Sequence, residues 1–228
     1  KIRQNNFERV LLFDFETTDD LKDEIVLTLA AETMGRFSNI VLVGPQGKII
    51  DAIKRIDYEK SEMRQLLPGL PYLPPPPLKR TPVTAKGAAI CEAMKQSKRQ
   101  GDPAKILSET LEGASLLLCR ELIYAACDGD IPINCRLSEA QYAKLAVQID
   151  LLADVVKNIQ PKPTMVIIDN VPKDFSFIPI KQYQNAAVTQ RFNALSPMLD
   201  AFYGEREAIE RMRLRMTDLT RVVNLKIE

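Results

Sequence analysis

Charged and polar residues gather in a short segment between two apolar runs, and their types suit the binding of an anion. The segment reads ETMGRFSN and covers residues 32–39. Arg36 carries a planar guanidinium that fits phosphate or carboxylate, and Gly35 permits backbone conformations that other residues resist. Ser38 and Asn39 can hydrogen-bond to nearby backbone and so favour a turn. From the residues alone, a structural chain reversal is favoured over a binding loop.

A second pair of charges, Glu8 and Arg9, stands near the start of the apolar run FERVLLFDFE, residues 7–16. Adjacent residues of a strand point to opposite faces of the sheet, so one of these two side chains would face inward. Burial of an unpaired charge is costly. Either the sheet is exposed to solvent on both faces at this point, or each charge has a partner. The two charges then belong to a binding site, or they are ordinary exposed charges of an edge strand.

The strongly basic part of the chain is residues 79–105, which hold seven basic and two acidic residues. Backbone N–H groups at the start of a helix can bind phosphate, and the turn LEGAS (111–115) lies between two predicted helices. A glycine between helices is more commonly a helix stop, and a solvated helix face explains the basic run as well as RNA does. The candidate phosphate contacts in these two places are Lys95, Lys98, Arg99, Gly113 and Ser115.

The composition restricts the chemistry that the chain could perform. Its 228 residues contain no histidine, which removes His-based triads, His general bases and most zinc sites. The four cysteines form no C-x-x-C pair, and their number suits a reducing cytosol. The net charge is +1, so nucleic-acid binding would need local patches. We therefore expect no metal, no cofactor and, in the absence of a long apolar run, no membrane span.

Apolar residues that alternate with polar ones predict an antiparallel β-meander over residues 7–57, as part of a sandwich or barrel. Its strands would cover FERVLLFDFE, IVLTLAAET, NIVLV and KIIDAIKRI. Residues 68–82 hold seven of the fifteen prolines, which predicts an extended spacer that ends the first unit. Docking of the four-proline run in an aromatic groove is the alternative.

The second half of the chain is predicted to be mainly helical. Residues 83–160 show helical periodicity, with Ser138 and Gln141 in a capping-box pattern, and a β-hairpin is expected over residues 161–192. Seven of eight heptad positions between 198 and 223 are apolar, which predicts a coiled coil over 193–228; an amphipathic helix packed on its own domain is the alternative. The fold class is therefore α+β. A first residue other than Met and a helical end suggest an internal piece of a longer protein.

Three stretches resemble the NFACT family, which includes fibronectin-binding protein A-like bacterial proteins and ribosome quality-control factors. They are ETMGRFSNIVLVGPQGKIIDAIKRI, LPGLPYLPPP and LSPMLDAFYGERE, in that order along the chain. The resemblance implies the second part of an NFACT-N β domain (1–67), a Pro-rich linker (68–82), a helix-hairpin-helix-like region (83–160), a hairpin that returns to the β domain (161–192) and the start of a coiled coil (193–228). NFACT-N is also similar in fold to the N-terminal domain of formamidopyrimidine-type DNA glycosylases.

The resemblance further implies a cytoplasmic, ribosome-associated RNA-binding protein that is not an enzyme. Such proteins bind large (50S) ribosomal subunits that still carry peptidyl-tRNA, and they recruit tRNA for template-free C-terminal alanine tailing. Glu8-Arg9 matches the family's Asp-Arg pair, and Glu32-Thr33-Met34 matches its Glu-Ile-Met motif, with a longer carboxylate and a polar Thr as departures. Phe37 stands where the family often has His. The predicted tRNA-binding surface comprises Glu8, Arg9, Glu32, Thr33, Met34 and Arg36.

Two other function classes are kept in view. A surface adhesin that binds fibronectin or fibrinogen is suggested by the older family name and would place the protein at the cell surface. A glycosylase-like enzyme would need the histidine that this chain lacks. One geometric question bears on the binding loop: Arg9 and Arg36 exposed together would support the site, whereas Arg36 buried against Asp14 or Asp51 would make the loop structural.

Overall fold

The computed structural model describes residues 1–77, 79–130 and 136–227, apart from the side chains of residues 218 and 221–227. The chain divides into two compact units, Lys1–Pro82 and Val83–Glu228. The first unit is built on an antiparallel sheet, and the second combines helices with a smaller antiparallel sheet. The fold class is therefore α+β, as the sequence predicted.

The first unit contains the predicted meander. Its five-stranded sheet has the order β1-β2-β3-β4-β5, and each strand is antiparallel to the next. The sheet begins earlier than expected, because residues 2–4 pair with β2. In addition, β2 starts at residue 10, so Glu8 and Arg9 lie just before the strand rather than in it. The strands are β1 Ile2–Gln4, β2 Val10–Thr18, β3 Glu24–Glu32, β4 Asn39–Val43 and β5 Ile49–Ala52.

One face of this sheet carries the core of the first unit. Alternation along β4 turns Val41 and Val43 inward, because successive strand residues point to opposite faces. They pack with Ala30 of β3, Ile49 of β5 and Leu66, which comes from the segment after β5. Burial of these apolar side chains fixes the register of the strands, since a slip by one residue would turn them all to the other face.

The Pro-rich segment runs along the outer side of β5. Ile49 N donates to Leu70 O over 2.8 Å, and Tyr72 N donates to Gly47 O over 2.9 Å. These bonds occupy backbone groups that an edge strand would otherwise leave open. The segment ends in a two-residue strand, β6 Thr81–Pro82. Residues 69–72 thus pair with the backbone of residues 47–49, and an extended conformation over the rest of the Pro-rich segment stays a prediction.

The second unit begins with helices, in the region that the sequence predicts to be helical. Three of them follow capping side chains: Asp102 accepts a hydrogen bond from Ala104 N at 2.9 Å, Ser115 accepts one from Leu118 N at 3.2 Å, and Ser138 forms the predicted capping box. Such caps satisfy N–H groups that lack partners within the helix. Lys86, before the first helix, provides no side-chain cap. The elements are α1 Gly87–Gln96, α2 Pro103–Thr110, β7 Leu111–Glu112, α3 Leu116–Ala126 and α4 Glu139–Lys157.

The strands after α4 form a sheet of their own. They are β8 Thr164–Ile168, β9 Val171–Ser176 and β10 Val188–Arg191, in the order β10-β8-β9. The predicted return of residues 161–192 to the first β domain stays a prediction, and these strands fall within the second unit. A buried carboxylate contributes to this placement: Glu121 of α3 accepts backbone hydrogen bonds from Lys181 and Gln182 at 2.9–3.0 Å.

The last helix, α5 Leu195–Ile227, has two different parts. Its first turns pack on the small sheet, where Met198 and Phe202 are buried beside Met165 and Phe175. Farther along, seam positions are exposed: Met212 by 62%, Met216 by 69% and Leu219 by 65%. The first heptad positions, Met198 and Phe202, therefore pack on the small sheet of the same unit. The coiled coil stays a prediction. Within the described ranges no helix has the length and hydropathy to cross a membrane.

Candidate nucleic-acid interface

Three basic residues lie at one end of the five-stranded sheet. Neighbouring strands are antiparallel, so one end of the sheet contains the start of β2, the end of β3, the start of β4 and the end of β5. Arg9 precedes β2, Arg36 lies between β3 and β4, and Lys54 follows β5. All three side chains are exposed. We call the surface formed by Arg9, Arg36 and Lys54 the basic end.

Arg9 is held beside the beginning of the 32–39 segment by backbone pairing. Thr33 N donates to Arg9 O over 2.8 Å, and the Thr33 hydroxyl donates to the same oxygen over 3.1 Å. These bonds extend the β2–β3 ladder by one residue beyond the strands. Thr33 and Arg9 are both exposed, whereas Glu8 and Met34 are half-buried. The predicted residues Glu8, Arg9, Thr33 and Met34 therefore lie together at this edge.

The loop that carries Arg36 is a short 3-10 turn, Gly35–Phe37. Gly35 has a φ of +59°, a left-handed conformation that glycine adopts without the steric cost of a side chain. Ser38 N closes the turn on Gly35 O over 2.9 Å, and Lys54 Nζ donates to Arg36 O over 3.2 Å. The backbone carbonyls of Gly35 and Arg36 thus both accept hydrogen bonds, which hold the turn in this conformation.

Asn39 serves the backbone next to this loop, as its predicted role in the turn requires. It is 5% exposed. Its Oδ1 accepts from Lys54 N at 2.9 Å, and its Nδ2 donates to Lys54 O at 2.8 Å. This pair of bonds fixes the residue that follows β5 against the start of β4. The position of Lys54 at the basic end follows from it.

Neither acidic residue that could have neutralised Arg36 does so. Asp14 accepts two hydrogen bonds from Arg3, at 2.6 and 2.7 Å. Asp51 pairs with Arg55 at 3.1 Å. No carboxylate lies within ion-pair distance of Arg9 or Arg36 in the described part of the chain. Their charges remain available to an external anion.

Glu32 takes a different place from the rest of the predicted surface. It is 2% exposed, and its carboxylate receives hydrogen bonds from Arg64 and from the Tyr72 hydroxyl. The family resemblance grouped Glu32 with the predicted RNA-binding residues. Its carboxylate instead points inward, where Arg64 and Tyr72 donate hydrogen bonds to it. Glu32 can therefore shape the loop from below, while an RNA contact through its carboxylate would require this cluster to open.

The sequence predictions omitted residues that complete the basic end and its support. Lys54 was part of a predicted strand, and Arg64 lies in a segment without clear periodicity. Phe37 was noted only as a departure from the family pattern, yet it is 64% exposed and lies under the Arg36 guanidinium, 4.7 Å from its ring centroid. Counting cations at strand ends of the meander could have identified Lys54. No local pattern identifies Arg64.

A separate group of predicted phosphate contacts lies in the second unit. Lys95 and Arg99 line a cavity of about 410 Å³ between α1, the α1–α2 connection and the start of α4, together with Arg136 and Tyr142. Lys95 Nζ is 2.6 Å from a carboxylate oxygen of Glu139, and this hydrogen bond raises the pKa of Lys95. Arg99 pairs with the carboxylate of Glu109. Both cations are thus partly neutralised.

The other predicted phosphate contacts do not line this cavity. Lys98 is exposed on the α1–α2 connection. Gly113 has a φ of +80°, and the Ser115 hydroxyl caps α3. The five residues therefore belong to two places, and the cap accounts for Ser115 without a ligand. Phosphate binding by this group stays a prediction.

Comparison with known proteins gives matches along the whole chain. A family model described as NFACT N-terminal and middle domains matches residues 1–228. The Rqc2 homologue RqcH of Bacillus subtilis (strain 168) is 28% identical over 225 residues, which are 98% of this chain and 37% of that protein. The chain thus spans well under half of this curated relative.

Solved structures show the same fold. The fibrinogen binding protein from Staphylococcus aureus aligns with a TM-score of 0.67 and 24% identity, over 89% of this chain and 69% of that one. The N-terminal part of the fibronectin/fibrinogen-binding protein from Streptococcus suis aligns with a TM-score of 0.64 and 25% identity, over 90% of this chain and 66% of that one. The arrangement of sheets and helices is therefore shared with proteins of known structure.

Proposed function

This chain belongs to the NFACT family, and from that premise we propose that it is the RNA-binding part of a ribosome quality-control factor. Its match to the NFACT family model and its relatives named Rqc2 homologue RqcH support membership of a ribosome quality-control family. In this proposal the protein works in the cytoplasm on obstructed 50S subunits that carry peptidyl-tRNA. It recruits tRNA for template-free C-terminal alanine tailing. Peptide-bond chemistry belongs to the ribosome, so the protein itself is not an enzyme.

The basic end is the observation that carries the proposal. Arg9 and Arg36 are exposed at one edge of the sheet and have no carboxylate partner in the described residues. Release of counterions from the phosphate backbone makes such unpaired cations a main source of affinity for nucleic acids. Guanidinium groups also offer two parallel donors to a phosphate. We therefore propose that Arg9 and Arg36 contact tRNA phosphates, with Thr33, Met34 and Glu8 around them.

Other residues at this end of the sheet support the role by holding the loop in position. Lys54 adds a third cation and hydrogen-bonds to the carbonyl of Arg36. Glu32 holds the end of β3 from within, through Arg64 and Tyr72. A loop that hydrogen bonds already hold in place loses less conformational freedom on binding, so more of the contact energy appears as affinity. The second unit would add the cations around its cavity as a separate contact with RNA.

The test uses the full-length protein that contains this chain. We expect it to co-sediment with 50S subunits and to enrich tRNA, and we expect the double variant Arg9→Ala/Arg36→Ala to lose tRNA enrichment. Lys22→Ala is the matched control, since Lys22 is exposed on the same sheet in the β2–β3 turn at its opposite end. Unchanged tRNA enrichment by the double variant would reject the assignment of the basic end.

Binding of fibronectin or fibrinogen is the second candidate. It is favoured by the similarity to the Streptococcus suis protein, which is described as fibronectin/fibrinogen-binding. Saturable binding of the full-length protein to immobilised fibronectin, undiminished by excess tRNA, would support it. Cell fractionation separates the two functions further, because an adhesin must be found at the cell wall and a ribosome factor with the 50S subunits.

A further inference from the structure

An exposed aromatic ring lies beside Arg36 at the basic end. Phe37 is 64% exposed at the end of the 3-10 turn. The Arg36 guanidinium lies over its ring, with Cζ 4.7 Å from the centroid. Two apolar residues at the same edge are also exposed, Ile53 by 73% and Ile40 by 38%, and they are joined by a hydrogen bond between their backbones. The ring and the guanidinium that lies over it together present an apolar and a cationic surface to a ligand.

The backbone beneath the ring is well supported, so the ring is presented rather than left on an unsupported loop. Phe37 N donates to Met34 O over 3.2 Å, and Ser38 N donates to Gly35 O over 2.9 Å. The residue before Phe37 is tied to Lys54 through its carbonyl. A methyl group added to Gly35 would meet no atom within 4 Å, which indicates that the turn is open on that side.

A ring flanked by cations matches the chemistry of an unpaired nucleotide. Proteins that bind single-stranded RNA stack its bases on aromatic side chains and on arginine planes, while basic groups follow the phosphates. In a duplex the bases are paired and stacked on each other, so a ring at the protein surface cannot reach their faces. The combination of Phe37, Arg36 and the free charge of Arg9 therefore distinguishes an RNA loop from a helix.

We propose that Phe37 is a stacking platform for an unpaired nucleobase, with the Arg36 guanidinium on one side of the ring and the base on its exposed side. This inference rests on the proposed function and names the part of the RNA that is recognised, an unpaired loop base. Arg9 and Lys54 then serve the phosphates on either side of that nucleotide. Nothing in this assignment depends on the second unit.

The absence of tryptophan from the chain allows a direct optical test. The variant Phe37→Trp gives the 228-residue chain a single indole at the platform. Titration with an RNA hairpin that has an unpaired loop should quench its fluorescence. Phe15→Trp is the matched control, because Phe15 is 53% exposed on β2, away from the basic end. We expect no quenching in that variant at the same degree of RNA binding.

Affinity measurements separate stacking from attraction of charge. Phe37→Ala and Phe37→Leu should each weaken hairpin binding about tenfold, because leucine keeps apolar surface but has no π-face. Duplex RNA of the same length should bind both variants as it binds the parent chain. A hairpin with abasic sugars in its loop should bind the parent chain as weakly as the intact hairpin binds Phe37→Leu.

Several results would overturn the inference. Equal affinity of Phe37→Leu and the parent chain for the hairpin, or equal affinity of the abasic and intact hairpins, would reject stacking while leaving RNA binding in place. Quenching of the Phe37→Trp variant by fibronectin but by no RNA would assign the ring to a protein partner. If none of the three RNAs binds the parent chain at low salt, the proposed function fails together with the inference.

Discussion

Arg64 lies with its guanidinium against the carboxylate of Glu32, 32 residues earlier in the chain. Nη1 is 3.1 Å from Glu32 Oε2, and the Tyr72 hydroxyl donates to Oε1 over 2.9 Å. The side chains of Arg64 and Glu32 are 12% and 1% exposed. Burial, followed by the negative charge of Glu32, raises the pKa of Tyr72. The cluster ties the end of β3, where the 32–39 segment begins, to the segment that leads into the prolines.

Removal of Arg64 should be strongly destabilising. Arg64→Ala leaves the Glu32 carboxylate buried without its cation, and loss of one partner of a buried ion pair costs about 3–5 kcal/mol. Urea denaturation of the chain measures this change in the free energy of unfolding. Arg55→Ala removes a guanidinium from the exposed pair with Asp51 and should change stability by less than about 1 kcal/mol. Equal losses in the two variants would contradict the structural role of the cluster.

Arg9 and Arg36 should contribute to RNA binding through phosphate contacts that depend on salt. For single-stranded RNA, the slope of log K against log salt concentration should fall by about 0.7 for each contact removed. Arg9→Ala and Arg36→Ala should each show this change, and the double variant should show about twice as much. Titrations over a range of salt concentrations measure it. A slope in either variant that matches that of Lys22→Ala would place that arginine outside the interface.

The main sheet could be predicted because each strand carries its own signal. NIVLV is a short apolar run bounded by polar turns, and it forms β4 at the predicted residues. The helix starts could also be predicted from local signals, since the hydroxyls of Ser115 and Ser138 accept hydrogen bonds from residues three positions later. The cations of the loop were found from residue types and family resemblance. What could be predicted thus depended on interactions between residues that are near in sequence.

The remaining features depend on partners that are distant in sequence. Glu32 looked like a surface residue because Arg64 and Tyr72 are 32 and 40 residues away. The family resemblance placed residues 161–192 with the first β domain and gave no sign of the contact between Glu121 and Lys181, which spans 60 residues. A single sequence contains no local pattern for either contact. Both involve a buried carboxylate, whose need for partners can be stated in advance although their identity cannot.

Asp14 should stabilise the first unit in a manner that depends on pH. Hydrogen bonds from Arg3, and secondarily one from Thr28, lower its pKa to about 2. A lowered pKa in the folded state means that the stabilisation is complete above the unfolded value, near 3.8, and is lost as the pH falls towards 2. Urea midpoints of the parent chain and Asp14→Asn should therefore differ at pH 6 and converge near pH 2. A difference that is constant over this range would exclude the ionised pair as its source.

Gly87 should be intolerant of any side chain, because α1 and α4 approach each other closely there. A Cβ atom at this position would lie 2.1 Å from Ala146 O and 2.8 Å from Ala146 Cα. Those are backbone atoms, so the helices would have to separate, and the bond from Gly87 N to Asp150 Oδ1, 2.7 Å long, would be strained. Overpacking of this kind costs about 1–3 kcal/mol or more.

Gly204 is the matched control for this prediction. It lies within α5, and a Cβ atom there would meet nothing within 4 Å. Gly204→Ala should stabilise the protein by up to about 1 kcal/mol, since alanine restricts the unfolded chain and favours the helix. Denaturation of both variants should therefore give changes of opposite sign. Lys95 of α1 and Tyr142 of α4 line the same cavity, so Gly87→Ala should also disturb that cavity. A Gly87→Ala variant as stable as the parent chain would contradict the prediction, because it would show that the two helices can move apart at little cost.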